Sequence, residues 1–175
     1  MTREEEVITG ETCPICHQKT LTLTETSLEV PYFGKLYIFG MNCSNCQYRK
    51  ADLEADEEKP PVKYVLDIEN SEDLNARVIK SSQAVVKLGR IGSITPGPAS
   101  EGYVTNVQGI VERIKRQVEA MKNMEDDPAL KKKAKNVLKK IAKILQGSLA
   151  VKLTIEDPSG NSAIISEKAV KSALK

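Results

Sequence analysis

Five residues of this chain could do chemistry that most side chains cannot: Cys13, Cys16, His17, Cys43 and Cys46. The run from Cys13 to His17 has the spacing of a covalent haem attachment site, of a thiol-disulfide exchange motif and of half a zinc site. All four cysteines fall into the pattern Cys-x2-Cys-x26-Cys-x2-Cys, with none left over. A redox motif needs only one pair, and covalent haem belongs to exported proteins, whereas two Cys-x-x-Cys knuckles offer four thiolates to one tetrahedral ion. The spacing therefore favours one structural Zn2+ held by Cys13, Cys16, Cys43 and Cys46. A set in which His17 replaces one cysteine is the alternative. Four protein ligands leave no open position for water, so the metal is not read as catalytic.

The other residues offer little to catalysis. The single His lies beside a knuckle, no Cys is spare, and no Gly-rich phosphate loop is present. The serines have no visible base, and Asp126 and Asp127 sit in a turn where helix capping explains them. The chain is expected not to be an enzyme. Its N-terminus, MTREEEVITGE, is acidic where a signal peptide would be basic and then apolar, and no apolar run is long enough to cross a bilayer. A cytoplasmic location without membrane contact is expected.

Positioning the two knuckles falls to the segment between them, which exceeds the usual spacing of about 15–20 residues. Leu21 and Leu23, then Leu28 and Val30, alternate with polar residues, and Leu36, Ile38 and Gly40 follow the same rule. Two strands joined through VPYFG would return the second knuckle to the first, which is a zinc-ribbon arrangement over residues 10–52. The acidic run ADLEADEEKPP then reads as a linker over residues 53–61.

From residue 62 to 175 the signals are mainly β. VKYVLDIE, QAVVKLGRIGSI, SLAVKLTIED and NSAIIS read as strands, DPSG as a turn, and EDLNARVIKSS as strand or short helix. Inserted among them, residues 106–147 carry two helical stripes. The first runs through Val107, Ile110, Val111, Ile114 and Val118, opened by a capping box in TNVQ with Thr105 as the cap. The second, from Pro128, runs through Leu130, Val137, Leu138, Ile141 and Ile144 and stops at Gly147. The pattern predicts an antiparallel helical hairpin inside an α+β fold.

Charge is polarised along the chain. Residues 1–60 hold six Lys/Arg against eleven Asp/Glu, net −5, while residues 106–147 hold eleven against five, net +6. The second helix carries Lys132, Lys139 and Lys140 among other lysines opposite its apolar stripe. A solvated face, an acidic protein partner and an RNA backbone are the three readings. No aromatic is interleaved to stack on bases, which weakens the last.

Several segments together resemble the ZPR-type zinc-finger family: the four-cysteine ribbon, VPYFGKLYIFGMNCSNCQYRKAD, EDLNARVIKSSQAVVKL, EGYVTNVQGIVERI and IEDPSGNSAI, in that order. The resemblance spans about residue 10 to residue 166 and implies a zinc ribbon followed by a mainly β domain, double-stranded β-helix-like, interrupted by a helical hairpin. The family pattern has Gly where Gln47 stands. Eukaryotic members carry the module twice and bind the translation elongation factor that delivers aminoacyl-tRNA, assisting its folding; this chain looks like a single-module, archaeal version. The resemblance thus implies a zinc-dependent, chaperone-like protein-binding module whose partner is the elongation factor. Tyr32 and Phe33 are candidate apolar contacts, and Lys132, Lys139 and Lys140 candidate steering charges. An RNA- or ribosome-binding zinc-ribbon protein is the alternative.

Overall fold

The computed structural model describes residues 4–30, 33–56, 59–97 and 99–174. Strands β1 (Glu4–Glu11), β2 (Leu21–Val30), β3 (Gly34–Cys43) and β4 (Arg49–Ala55) form one antiparallel sheet in chain order. The predicted pair is thus the centre of a four-stranded ribbon. β1 was not anticipated, because Glu4, Glu5 and Glu6 followed by Val7 and Ile8 show no alternation. The linker expected over residues 53–61 begins as strand: Leu53 pairs with Ile38 and is 2% exposed, so core burial carries β4 into the acidic run.

The ribbon changes its buried face along its length. Leu21 and Leu23 pack beside the cysteines, whereas Leu28 and Val30, of opposite parity on the same unbroken strand, pack in a second cluster with Phe33, Leu36 and Leu53. Successive side chains on a strand point to opposite faces, so the metal end and the far end bury opposite sides of the sheet.

The remaining strands form two sheets. β5 (Val62–Ile68), β7 (Val85–Leu88), β8 (Gly92–Ile94), β10 (Val151–Asp157) and β12 (Val170–Ala173) make a five-stranded sheet in the order β12-β5-β10-β7-β8. β6 (Arg77–Lys80), β9 (Tyr103–Asn106) and β11 (Ala163–Ile165) make a three-stranded one in the order β11-β6-β9. The ambiguous EDLNARVIKSS is both things in turn, a 3-10 turn at Asp73–Asn75 and then β6. The helices α1 (Val107–Met124) and α2 (Pro128–Leu145) pack Val107, Ile110, Val111, Ile114, Ile141 and Ile144 into the core beside Leu66, Val86 and Leu153 of the large sheet.

The cap of α1 is Asn106, whose side chain accepts from Gly109 N–H at 2.8 Å; Thr105, expected to cap it, belongs to β9, where pairing with Val78 outweighs the local capping signal. Asp127 caps α2 by accepting from Ala129 N–H at 2.7 Å, with Pro128 next. Gly147, with φ of +69°, turns the chain out of α2.

The small sheet faces two ways. Paired Val78 and Ile164 join the main core, while their neighbours, paired Ile79 and Ala163, join the ribbon's far-end cluster. Ribbon and β domain therefore share buried side chains. DPSGNS, residues 157–162, clamps this junction: Asn161 Oδ1 accepts from Ala55 N–H of β4 at 3.2 Å, and Ser162 Oγ accepts from Ser81 N–H at 2.9 Å. Gly160 sits at φ of +74°, where an added Cβ would lie 2.5 Å from the Lys59 carbonyl and 2.6 Å from that of Pro60. Gly160→Ala is expected to destabilise the protein by about 2–4 kcal/mol, the left-handed backbone and the overpacking acting together. Asn161→Ala, which removes one hydrogen bond, should cost about 1 kcal/mol. Denaturant unfolding of both variants measures the difference, and equal effects would refute the close-approach argument.

Candidate metal centre

Each knuckle is a tight turn closed by its own backbone. Cys13 N–H donates to Gln18 O and His17 N–H to Cys13 O, both at 2.9 Å; Cys43 N–H donates to Tyr48 O at 2.9 Å and Gln47 N–H to Cys43 O at 3.1 Å. The two turns are congruent down to their fifth residues, since His17 and Gln47 have φ of +58° and +61°. Only glycine takes that left-handed conformation without steric cost. The family pattern of Gly at the Gln47 position therefore has a backbone reason, and His17 is placed by that turn.

The knuckles face each other across β2 and β3, where Leu21 pairs with Cys43. The four Sγ atoms lie within 4.8 Å of one another, with Cys13–Cys46 and Cys16–Cys43 each at 3.7 Å. A tetrahedron with zinc–sulfur bonds of about 2.3 Å has edges of about 3.8 Å, so this spacing fits one zinc ion. Further donors already point at sulfur: Ile15 N–H at 3.4 Å from Cys13 Sγ, Cys46 N–H at 3.5 Å from Cys43 Sγ, and the Thr20 hydroxyl at 3.2 Å from Cys43 Sγ. Such contacts stabilise thiolates and fix their orientation.

The electrostatics favour a cation. Hydrogen bonding from the Cys46 backbone, with the Thr20 hydroxyl, lowers the Cys43 thiol to about 6. The Tyr48 backbone also pulls the Cys46 thiol down, but desolvation and the three neighbouring sulfurs outweigh it and push that thiol up to about 12. Four sulfurs this close cannot all ionise without a positive charge among them, and a dication supplies it. The bound ion would crosslink the two knuckles, with no protein-free coordination position.

The other expected contacts are separated from this centre. Tyr32 lies outside the described residues. Phe33 does not serve as an exposed apolar contact: it is 9% exposed, packed with Val30, Leu36 and Ile79, with the Lys59 ammonium 3.4 Å from its ring centroid. Burial of its large ring between ribbon and β domain overrides the turn position that suggested exposure. Lys132, Lys139 and Lys140 are exposed on α2, Lys132 and Lys139 on the side away from buried Ile141 and Ile144 and Lys140 on the flank of that stripe. Reading for strands missed an apolar row on the ribbon, in which exposed Ile8 and Met41 flank half-buried Leu23. These are directly paired across β1, β2 and β3.

A four-cysteine ribbon joined to a jelly roll defines a zinc-finger protein. A family model described as the ZPR1 zinc-finger domain matches residues 6–60, and one described as the ZPR1 jelly-roll domain matches residues 72–174. This chain belongs to the ZPR1 family. A ZPR1-like protein of Methanocaldococcus jannaschii is 37% identical over 157 residues, covering 89% of this chain and 79% of its own length. One from Pyrococcus horikoshii is 36% identical over 169 residues, 94% of this chain and 75% of its own. The zinc finger chaperone zpr1 of Schizosaccharomyces pombe is 29% identical over 141 residues, which is 77% of this chain and 30% of that protein. Among the described residues no helix is long and apolar enough to cross a membrane.

Two outcomes test the centre. Elemental analysis should find about one zinc per chain, and Cys43→Ser should lose the ion and with it amide protection over residues 10–50, since binding energy of about 10 kcal/mol or more is folding energy in such sites. A metal-free ribbon with full protection would refute this. His17→Gly, relieving a left-handed side chain, should leave zinc content unchanged and raise stability by up to about 1 kcal/mol. Loss of zinc in His17→Gly would instead make the imidazole a ligand.

Proposed function

We propose that this chain is a zinc-dependent protein-binding module, with Cys13, Cys16, Cys43 and Cys46 as its zinc ligands, and a chaperone-like partner of the translation elongation factor GTPase. The observation that carries this reading is the cross-strand row Ile8, Leu23 and Met41. Ile8 is 47% and Met41 37% exposed, and together with Phe39 they border a cavity of about 200 Å³. By strand parity the row lies on the ribbon face opposite Leu28, Val30 and Leu36, which pack toward the β domain. Apolar side chains gathered on one exposed face are the usual mark of a protein contact.

A second apolar site supports the same reading. At the free end of the hairpin Met121 is 71%, Met124 86% and Leu130 42% exposed, and methionine-rich surfaces suit partners whose shape varies, as folding intermediates do. Exposed lysines on α2 flank this tip and would steer an acidic partner. The naming of the fission-yeast relative as a chaperone agrees with the proposal.

The reading is tested by binding of the zinc-loaded protein to the elongation factor. Met41→Ser and Met124→Ser should each weaken the complex by about 1–2 kcal/mol, as loss of a central apolar contact does. Lys132→Glu, Lys139→Glu and Lys140→Glu combined should slow association about tenfold at low salt and little at high salt, because exposed charges act on encounter rate. All variants should keep their zinc and fold. Binding to structured RNA at physiological salt, abolished by the lysine changes while the methionine changes do nothing, would replace this function with RNA binding.

A further inference from the structure

The alternation of β6 places Val78 in the core and Ile79 in the ribbon cluster, so the next inward position, residue 80, should be apolar; it is Lys80, 1% exposed. Its ammonium donates to Ser81 O at 2.8 Å, which occupies one of three protons. Directly opposite on β9 is Tyr103, whose hydroxyl is buried without a hydrogen-bond partner among the described residues. The Arg113 guanidinium of α1 stacks 3.9 Å from the Tyr103 ring centroid, and Lys80 Nζ lies 5.5 Å from the same ring. One turn further, Arg116 joins them around a cavity of about 310 Å³.

Three cations thus meet in one concavity. Its lining contains a single carboxylate, Glu101, and none of Lys80, Arg113 and Arg116 makes an ion pair among the described residues. Burial holds Lys80 below the ordinary lysine range; Asp157 and Asp52 offset part of that and Arg113 adds to it. A buried lysine at an apolar position, repelled by Arg113 and only partly compensated by Asp157 and Asp52, is a charge that an entering anion would stabilise further. The volume is at the lower end for ligand sites and holds a compact anion with a small substituent.

We propose that this cavity binds a small phosphate-type oxyanion, gripped by Arg113 and Arg116 over the buried charge of Lys80. Arginine forks match the oxygen geometry of a tetrahedral anion, and the stack on Tyr103 holds one fork in place. The site is separate from the zinc centre, and although Gln117 borders both this cavity and the groove lined by Met121 and Leu130, none of Lys80, Arg113 and Arg116 lines that groove.

Titration calorimetry of the zinc-loaded protein with inorganic phosphate and with O-phosphoserine, at ionic strength fixed with chloride, tests the proposal. Saturable binding at or below about 1 mM is expected for at least one of them. Tighter binding of the free ion makes inorganic phosphate the ligand class, and tighter binding of the ester makes it an esterified phosphate. Arg113→Gln combined with Arg116→Gln, both exposed and off the core, should weaken binding at least tenfold without lowering the melting temperature in chloride. Lys80→Met should weaken it similarly, and Glu101→Gln should tighten it severalfold. No saturable binding of either probe, or affinity unchanged in the double arginine variant, overturns the proposal.

Discussion

Four sulfur atoms within 4.8 Å of one another are the constraint on which the ribbon rests. At that end the buried hydrophobic set among the described residues is Cys13, Leu21 and Cys43, with Cys16, Leu23 and Tyr48 at its edge, too little apolar surface to close two knuckles on its own. The same crowding that makes four thiolates mutually repulsive makes them a strong ligand set for a dication. Hydrogen bonds from backbone and Thr20 aim the sulfurs before any ion arrives. Fold and cofactor are one equilibrium at this end of the molecule.

At its other end the ribbon is held by different physics. The sheet presents its opposite face there, and the residues it buries are shared with the small sheet of the jelly roll. Val78 and Ile79, adjacent in sequence, serve two different cores. Close backbone approach seals the seam. Gly102 donates to Ala51 O at 3.2 Å, and any Cβ on it would meet Asp52 and Leu53. Gly160 plays the matching part at the Lys59–Pro60 carbonyls. The ribbon is thereby an outer layer of the jelly roll, joined to it by apolar contact and by side-chain hydrogen bonds to main chain.

Local signals were readable from the chain, and long-range ones were not. Knuckle spacing, the alternation of β2, β3, β5 and β10, and the two amphipathic helices each depend on neighbours within a turn or a strand. They carried the ribbon, the hairpin and the gathering of the four cysteines. β12 escaped because all four of its residues are exposed and bear no burial pattern, and β9 because four strand residues run straight into a helix cap. The burial of Phe33 and of Lys80 follows from which sheet covers them, a fact of topology. DPSG read as a turn, which it is, and NSAIIS as a strand, which begins only at Ala163; that Asn161 and Ser162 join two layers could be seen only once β4 and Ser81 were beside them.

The inner and outer sulfurs of the ribbon also set an order of events. Cys13 and Cys43 have no solvent exposure, while Cys16 and Cys46, the second cysteines of their knuckles, lie nearer the surface. A competing chelator or an oxidant therefore reaches the outer pair first. The ion would leave by stepwise ligand exchange, with the inner thiolates surrendering it last. How long the protein keeps its metal is then a matter of kinetics governed by the two outer sulfurs, half-buried Cys16 and exposed Cys46, and the ribbon's lifetime under oxidation would follow theirs.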